Sequence, residues 1–374
     1  MTTHMTTSDY AEAPDLVAED LEELEAVDPE PEAVTYSGSD FDVEGLARRL
    51  DRGDIVIPSF GLGAGLETAG FQRRFVWNRP QMDRFIESLL LGYPIPGIFL
   101  VQQTDKRYLV LDGQQRLRTL AAFYRGVHDG KVFALASVGD TFQGLTYDSL
   151  NEEQRRTLDN TFIQATIVRT DGTAESLDAV YQIFERLNAG GTQLTAHEIR
   201  VALYAGPFID FLTKLNADEN WRRLYGPESP RIRDQELLLR AVALYTSPGT
   251  YKRPLKKYLN DFAAAHRNMK ELAAPTISSR FAQSVALLNA DRGPGRDAFR
   301  SGSGQVNAAR TEAVLVGMFR RLDEGTTPQP DAVGRATRDL LEDDSFVSAI
   351  SRATADEDAV RTRLAIATRT FAST

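Results

Sequence analysis

Apolar positions along the chain follow two periods, and the change from one to the other divides it. In the first half, short apolar runs alternate with amphipathic stretches. Ile55-Val-Ile-Pro58, Ile98 to Gln102, Tyr108 to Leu111 and Thr161 to Val168 read as strands. Between them, Val43 to Leu50 suits a short helix. Met82, Phe85, Ile86, Leu89 and Leu90 recur at helical spacing behind Asn78, a natural cap, with Pro80 in the first turn and Gly92 as the stop. Leu117, Leu120, Ala121 and Tyr124 do the same behind Asp112-Gly113. Phe133 to Phe142 reads as a further strand and Leu150 to Leu158 as a helix.

From about Ser176 the helical period runs nearly throughout. Val180, Ile183, Phe184 and Leu187 mark a helix ended by Gly190-Gly191. Thr195 and Glu198 form a capping box for the next, which stops at Gly206-Pro207 and leaves His197 as a surface residue. Later helices are predicted over 210–215, 234–245, 255–269, 277–288, 308–321, 332–341 and 357–370. The expected fold class is α+β, a small mixed sheet with helices over 46–172 followed by a mainly α-helical domain over 173–374. The loop 291–305, rich in Gly, Arg and Ser, is expected to be an ordinary connection, the alternative being a mobile segment that touches an anionic partner.

Charge adds a third region. The chain of 374 residues has a net charge of -10, but from Asp9 to Glu44 it carries 14 acidic residues and no Lys or Arg, leaving 43 basic against 39 acidic elsewhere. Residues 1–45 are therefore expected to be an acidic disordered arm ahead of a mildly basic body. A sharper alternative is that the arm imitates nucleic acid and shields that body.

Composition then excludes several chemistries. The absence of cysteine removes disulfides, thiolate nucleophiles and cysteine zinc sites. His4, His128, His197 and His266 have no metal-ligand spacing, and no nucleophile elbow occurs. Gly61-Leu-Gly63-Ala-Gly65 lacks the Lys-Ser/Thr of a Walker loop and reads as a flexible loop. With no apolar run long enough to span a bilayer and no leader, a cytoplasmic protein without a membrane partner is expected.

The densest polar cluster stands on the corner between Tyr108-Leu-Val-Leu and the following helix: Asp112-Gly113-Gln114-Gln115-Arg116. A helix start with an arginine beside it can seat phosphate, and amides next to it can read a base or sugar. The alternative is that Asp112 caps the helix while Gln-Gln-Arg faces solvent. Phe71-Gln72-Arg73-Arg74-Phe75-Val76-Trp77 and Phe184-Glu185-Arg186-Leu187-Asn188-Ala-Gly190-Gly191-Thr192 keep the corner company, again alternating apolar anchors with amides and guanidinium groups. For a hard cation, Asp112 and Glu198 are the carboxylates to nominate.

At Gln72-Arg73, Val76-Trp77, Asp112-Gly113-Gln114-Gln115-Arg116 and Arg186-Leu-Asn188-Ala-Gly190-Gly191 with Glu198 and Arg200, the chain resembles the GmrSD-type family. That family is the ParB-like, sulfiredoxin-like N-terminal domain of modification-dependent restriction proteins such as GmrSD and SspE. The resemblance implies a ParB-like fold whose corner binds a nucleoside triphosphate (GTP, ATP or another) with Mg2+, and a role in antiphage defence. By position, Gln72 and Arg73 would line the pocket, Asp112 would hold metal or orient water, and Gln114, Gln115 and Arg116 would contact phosphates. Asn188, Gly190 and Gly191 would close the site. Fused members continue into a histidine-containing nuclease domain. Without clustered histidines here, strand cleavage by this polypeptide alone is not expected, and a separate effector or restriction protein would act with it.

Three activities follow. They are a magnesium-dependent nucleoside triphosphatase that regulates restriction, a nucleotide-gated DNA clamp without hydrolysis, and a nuclease working through Asp112. DNA is the expected macromolecular partner, and a homo-oligomer is compatible with all three.

Overall fold

The computed structural model describes residues 34–58, 77–187, 194–300 and 304–374. The chain divides into two compact units, one of residues 30–194 and one built on residues 195–374. The α+β class expected from the sequence is the one observed.

In chain order the first unit contains β1 (Tyr36–Asp42), α1 (Val43–Asp51), β2 (Ile55–Val56), α2 (Arg79–Leu90), β3 (Ile98–Gln102), β4 (Tyr108–Asp112) and α3 (Gln114–Arg125). A two-stranded ribbon follows, β5 (Val127–His128) with β6 (Lys131–Val132), then α4 (Glu152–Asp159), β7 (Phe162–Arg169) and α5 (Ala174–Leu187). Five strands make one mixed sheet in the order β1-β7-β3-β4-β2. β3 and β4 form an antiparallel hairpin, β7 runs parallel to β3 and antiparallel to β1, and β2 runs parallel to β4. Met82, Ile86, Leu89, Val110, Leu117 and Phe123 belong to one buried cluster, which joins the helical stripes of α2 and α3 to the sheet. Local chemistry sets the helix starts. Asn78 and Gln81 exchange side-chain-to-backbone hydrogen bonds at the head of α2, and Asp42 caps α1.

Two expectations are corrected in this unit. The acidic arm expected to reach residue 45 gives way at Tyr36 to β1, whose residues pair one for one with β7 from Tyr36↔Val168 to Asp42↔Phe162. No strand runs over 133–142 either, because side chains of α2 take the backbone groups at its middle. Buried Asp83 accepts the Ala136 and Ser137 N–H groups, both at 3.0 Å, and Arg79 donates to the Ala134 carbonyl at 2.6 Å.

The second unit is helical: α6 (Ala196–Leu203), α7 (Pro207–Asn216), α8 (Glu219–Tyr225), α9 (Arg233–Thr246) and α10 (Leu255–Ala265), then α11 (Ala274–Leu288), α12 (Ala308–Asp323), α13 (Pro330–Glu342), α14 (Asp344–Ala349) and α15 (Glu357–Ala372). The segment expected to stay helical to residue 269 stops at Ala265, while α8 and α14 were not anticipated. α12 is buried along nearly its whole length against α9, α11 and α15. Gly317 permits that packing, since a Cβ there would lie 2.7 Å from the Phe371 ring and 3.1 Å from the Ala367 backbone.

Candidate functional site at the strand-to-helix corner

β4 ends at Asp112, Gly113 turns the chain with φ at 93°, and α3 starts at Gln114. Only glycine suits this turn. Beyond the left-handed φ, a Cβ on Gly113 would sit 2.5 Å from Ile98 Cγ2, at the start of the neighbouring strand. The corner is therefore folded down on the entry to β3, whose Phe99 pairs with Asp112.

Gly113 occupies the cap position of α3 and, among the described residues, no side chain caps that end. This corrects the alternative in which Asp112 caps the helix. Among the described residues the first-turn N–H groups have no side-chain cap to meet the positive end of the helix dipole. Asp112 instead accepts from Arg116, one turn on, at 2.8 Å. Arg116 reaches back over the corner, donating through Nη2 to Asp112 Oδ2 and through Nη1 to the Pro96 carbonyl. The two partners differ in surroundings: the Arg116 side chain is 12% exposed and that of Asp112 51%. Burial pulls the Arg116 pKa below the ordinary arginine value, and the Asp112 charge offsets part of that pull.

The amides of the first turn do not simply face solvent. Gln114 and Gln115 are half-buried, and the Gln115 amide oxygen is buried with no hydrogen-bond partner among the described residues. Such an acceptor is costly unless something donates to it. The structure thus gathers Asp112, Gly113, Gln114, Gln115 and Arg116 at one corner. Gln72, Arg73, Asn188, Gly190 and Gly191, with the Gly61–Gly65 loop, lie outside the described residues. Trp77, which closes the Gln72-Arg73 segment, packs edge-on against Phe85 at 5.5 Å.

Glu198 belongs to the second unit. Its Oε2 accepts the Thr195 N–H at 2.6 Å, completing the expected capping box, and meets Arg231 at 2.9 Å. His197 beside it is not a surface residue. It is fully buried, with Nε2 3.0 Å from the Gln235 amide oxygen and Nδ1 3.3 Å from Arg200 Nη1. Burial, reinforced by Arg200, holds its pKa well below the usual histidine range.

Among the described residues no three His, Asp or Glu side chains gather as a metal site. Asp112 nonetheless offers one half-exposed carboxylate. That suits a magnesium ion that takes most of its ligands from phosphate oxygens and water.

Sequence reasoning missed two members of the corner, the Pro96 carbonyl and Ile98. A backbone acceptor twenty residues away leaves no mark in the residue pattern. It also missed a polar cavity of about 620 Å3, lined by Gln102, Thr104, Lys106, Arg169, Thr170 and Glu175 among others. That cavity lies at the far end of the β3–β4 hairpin, where Gln102 pairs with Tyr108, and none of the corner residues lines it. The corner is the better candidate because the unpaired acceptor, the arginine and the open helix start converge there.

Among the described residues no helix is long and apolar enough to cross a membrane. No curated protein matches the chain. Residues 51–205, which include β4, the corner and α3, match the family model described as the GmrSD restriction endonuclease, N-terminal domain, a match consistent with a GmrSD-type N-terminal domain over those residues.

Proposed function

We propose that this chain is the nucleotide-binding component of a restriction system, with a nucleoside triphosphate seated at the Asp112–Arg116 corner and hydrolysed there. The matched domain suggests a restriction-system role and an interaction with DNA. The observation that carries the finer reading is the start of α3, which among the described residues has no side-chain cap and stands beside Arg116 and a buried Gln115 oxygen without a partner. In this reading first-turn N–H groups and Arg116 hold phosphate oxygens, and Gln114 and Gln115 orient the sugar or base. Asp112 orients the attacking water or ligates magnesium, which when bound neutralises charge on the transferring phosphoryl group. The family resemblance adds Gln72, Arg73, Asn188, Gly190 and Gly191 as further residues expected to contact the nucleotide. DNA and a separate effector are the partners, the chain acting as sensor or regulator.

A second reading, nucleotide-gated DNA binding without turnover, is favoured by one observation: the Asp112 carboxylate is already engaged by Arg116. Incubation of the purified chain with each nucleoside triphosphate and magnesium, with and without DNA, separates the two. Under the leading reading phosphate is released, and Arg116→Ala and Asp112→Ala both abolish release. Arg116→Ala also weakens nucleotide binding by about 1.5–3 kcal/mol, the worth of a charge-assisted contact. Turnover that survives both substitutions overturns it, and nucleotide binding with no turnover leaves the second reading.

A further inference from the structure

The cation on which the phosphate reading depends already has a counter-charge. Arg116 Nη2 donates to Asp112 at 2.8 Å and Nη1 donates to the Pro96 carbonyl, so the corner is electrically closed at rest. We propose that Asp112 is a built-in competitor of the ligand: its carboxylate occupies Arg116 in place of phosphate and is displaced when the anion arrives. This inference rests on the phosphate reading of the corner and assigns that site its regulation.

The asymmetry of the pair supplies the argument. Arg116, at 12% exposed, would suffer from losing all its partners, so it stays in place, oriented by Pro96. Asp112, at 51% exposed, can rotate into water at little cost, because half-exposed ion pairs contribute little net stability. Arg116 stands in the first turn of α3, so the carboxylate it holds lies beside that turn, where N–H groups without a side-chain cap among the described residues would hold an anion. An anion seated there therefore meets a like charge, and that repulsion is strong at such short range near a protein surface. Ligand and Asp112 exclude one another at Arg116. Occupancy releases the carboxylate, and only the released carboxylate is available to orient water or bind a cation.

Opposite signs for binding and turnover follow. Asp112→Asn keeps an oxygen that can accept from Arg116 but removes the competing charge. It should bind phosphate more tightly while hydrolysing nothing.

The test uses the full chain with inorganic tripolyphosphate, the part common to every nucleotide, titrated calorimetrically in EDTA. Asp112→Asn and Asp112→Ala are expected to bind roughly tenfold more tightly than wild type, as removal of a nearby like charge predicts. Arg116→Ala should bind at least tenfold more weakly, with Arg116→Lys between it and wild type, and unchanged far-UV circular dichroism certifies folding. In magnesium the advantage of Asp112→Asn should shrink or reverse, since the wild-type carboxylate then has a cation to hold. If Arg116→Ala loses tripolyphosphate but both Asp112 variants bind no better than wild type, the competitor role is wrong and the site stands. If Arg116→Ala and Arg116→Lys bind like wild type, the phosphate site itself is wrong and the competitor role goes with it.

Discussion

Two arginine–carboxylate contacts, one in a cluster of three and one in a lone pair, show how little distance says about role. In the helical unit Glu312 on α12 accepts from Arg240 of α9 at 2.6 Å and from Arg363 of α15, all three side chains at most 1% exposed. In the sheet unit Asp112 accepts from Arg116 at 2.8 Å with half its surface in water. Burial alone would raise the Glu312 pKa, yet Arg240 and Arg363 more than offset it and hold the carboxyl below its ordinary value. Glu312 ties three helices together where no water can replace a lost partner. Asp112, at the end of β4, meets one arginine in the first turn of the helix that follows, where water can. Desolvation separates the pin from the removable contact.

The largest effect that could break this contrast is at Glu312. Removing one member of a buried ion cluster leaves the others uncompensated, which costs about 3–5 kcal/mol. Glu312→Gln should therefore lower the stability of the helical unit by that amount in urea unfolding followed by fluorescence of buried Trp221, with Trp77 replaced by Phe to silence the first unit. A loss below about 1 kcal/mol would mean the cluster is no pin, and the contrast with Asp112 would vanish.

Next in size is a pH effect at His197, also in the helical unit. Its folded pKa lies well below 6.5, so the unfolded chain takes up a proton there before the folded one does. Stability from the neutral ring is fully present above pH 6.5 and is lost as pH falls from 6.5 toward the folded value, by about 1.4 kcal/mol per pH unit. Denaturation at pH 7.5, 6.0 and 5.5 should show this slope in the wild type and a flatter one in His197→Gln. Equal slopes would place the histidine's proton on the ring in both states.

His197 also marks the limit of what the residues disclose. Its position in a capping box was plain from Thr195 and Glu198, but its burial depends on Gln235 and Arg200, which only tertiary packing brings to it. α2, β3, β4 and α3 were legible because prolines, glycines and Asn78 bound clear apolar runs, so each boundary was written locally. β1 was not, since Tyr36-Ser-Gly-Ser-Asp-Phe-Asp is polar and is held by its backbone ladder to β7. Phe133 to Phe142 misled in the opposite sense: Phe133, Leu135 and Phe142 are buried, but the Ala136 and Ser137 N–H groups at its middle go to Asp83 instead of a sheet. The corner was visible as a turn of special composition, and the four-residue spacing of Asp112 and Arg116 could have announced their pairing. The Pro96 carbonyl could not have been foreseen.

The smallest effect sharpens the comparison most, because it asks whether Asp112 is dispensable to the fold. An ion pair with one half-exposed partner contributes about 0–1 kcal/mol, and Asn at 112 still offers Arg116 an acceptor. Asp112→Asn should therefore shift the unfolding of the sheet unit by less than about 1 kcal/mol, read from Trp77 on Phe85 with Trp221 replaced by Phe. Raising salt should shrink even that difference, because a half-exposed charge is screened where the Glu312 cluster is not. A loss near that of Glu312→Gln would make Asp112 structural after all, and a structural carboxylate cannot step aside for a ligand. A near-zero change leaves the pair with no purpose in stability, and its placement beside an open helix start is then explained by what it keeps away from Arg116.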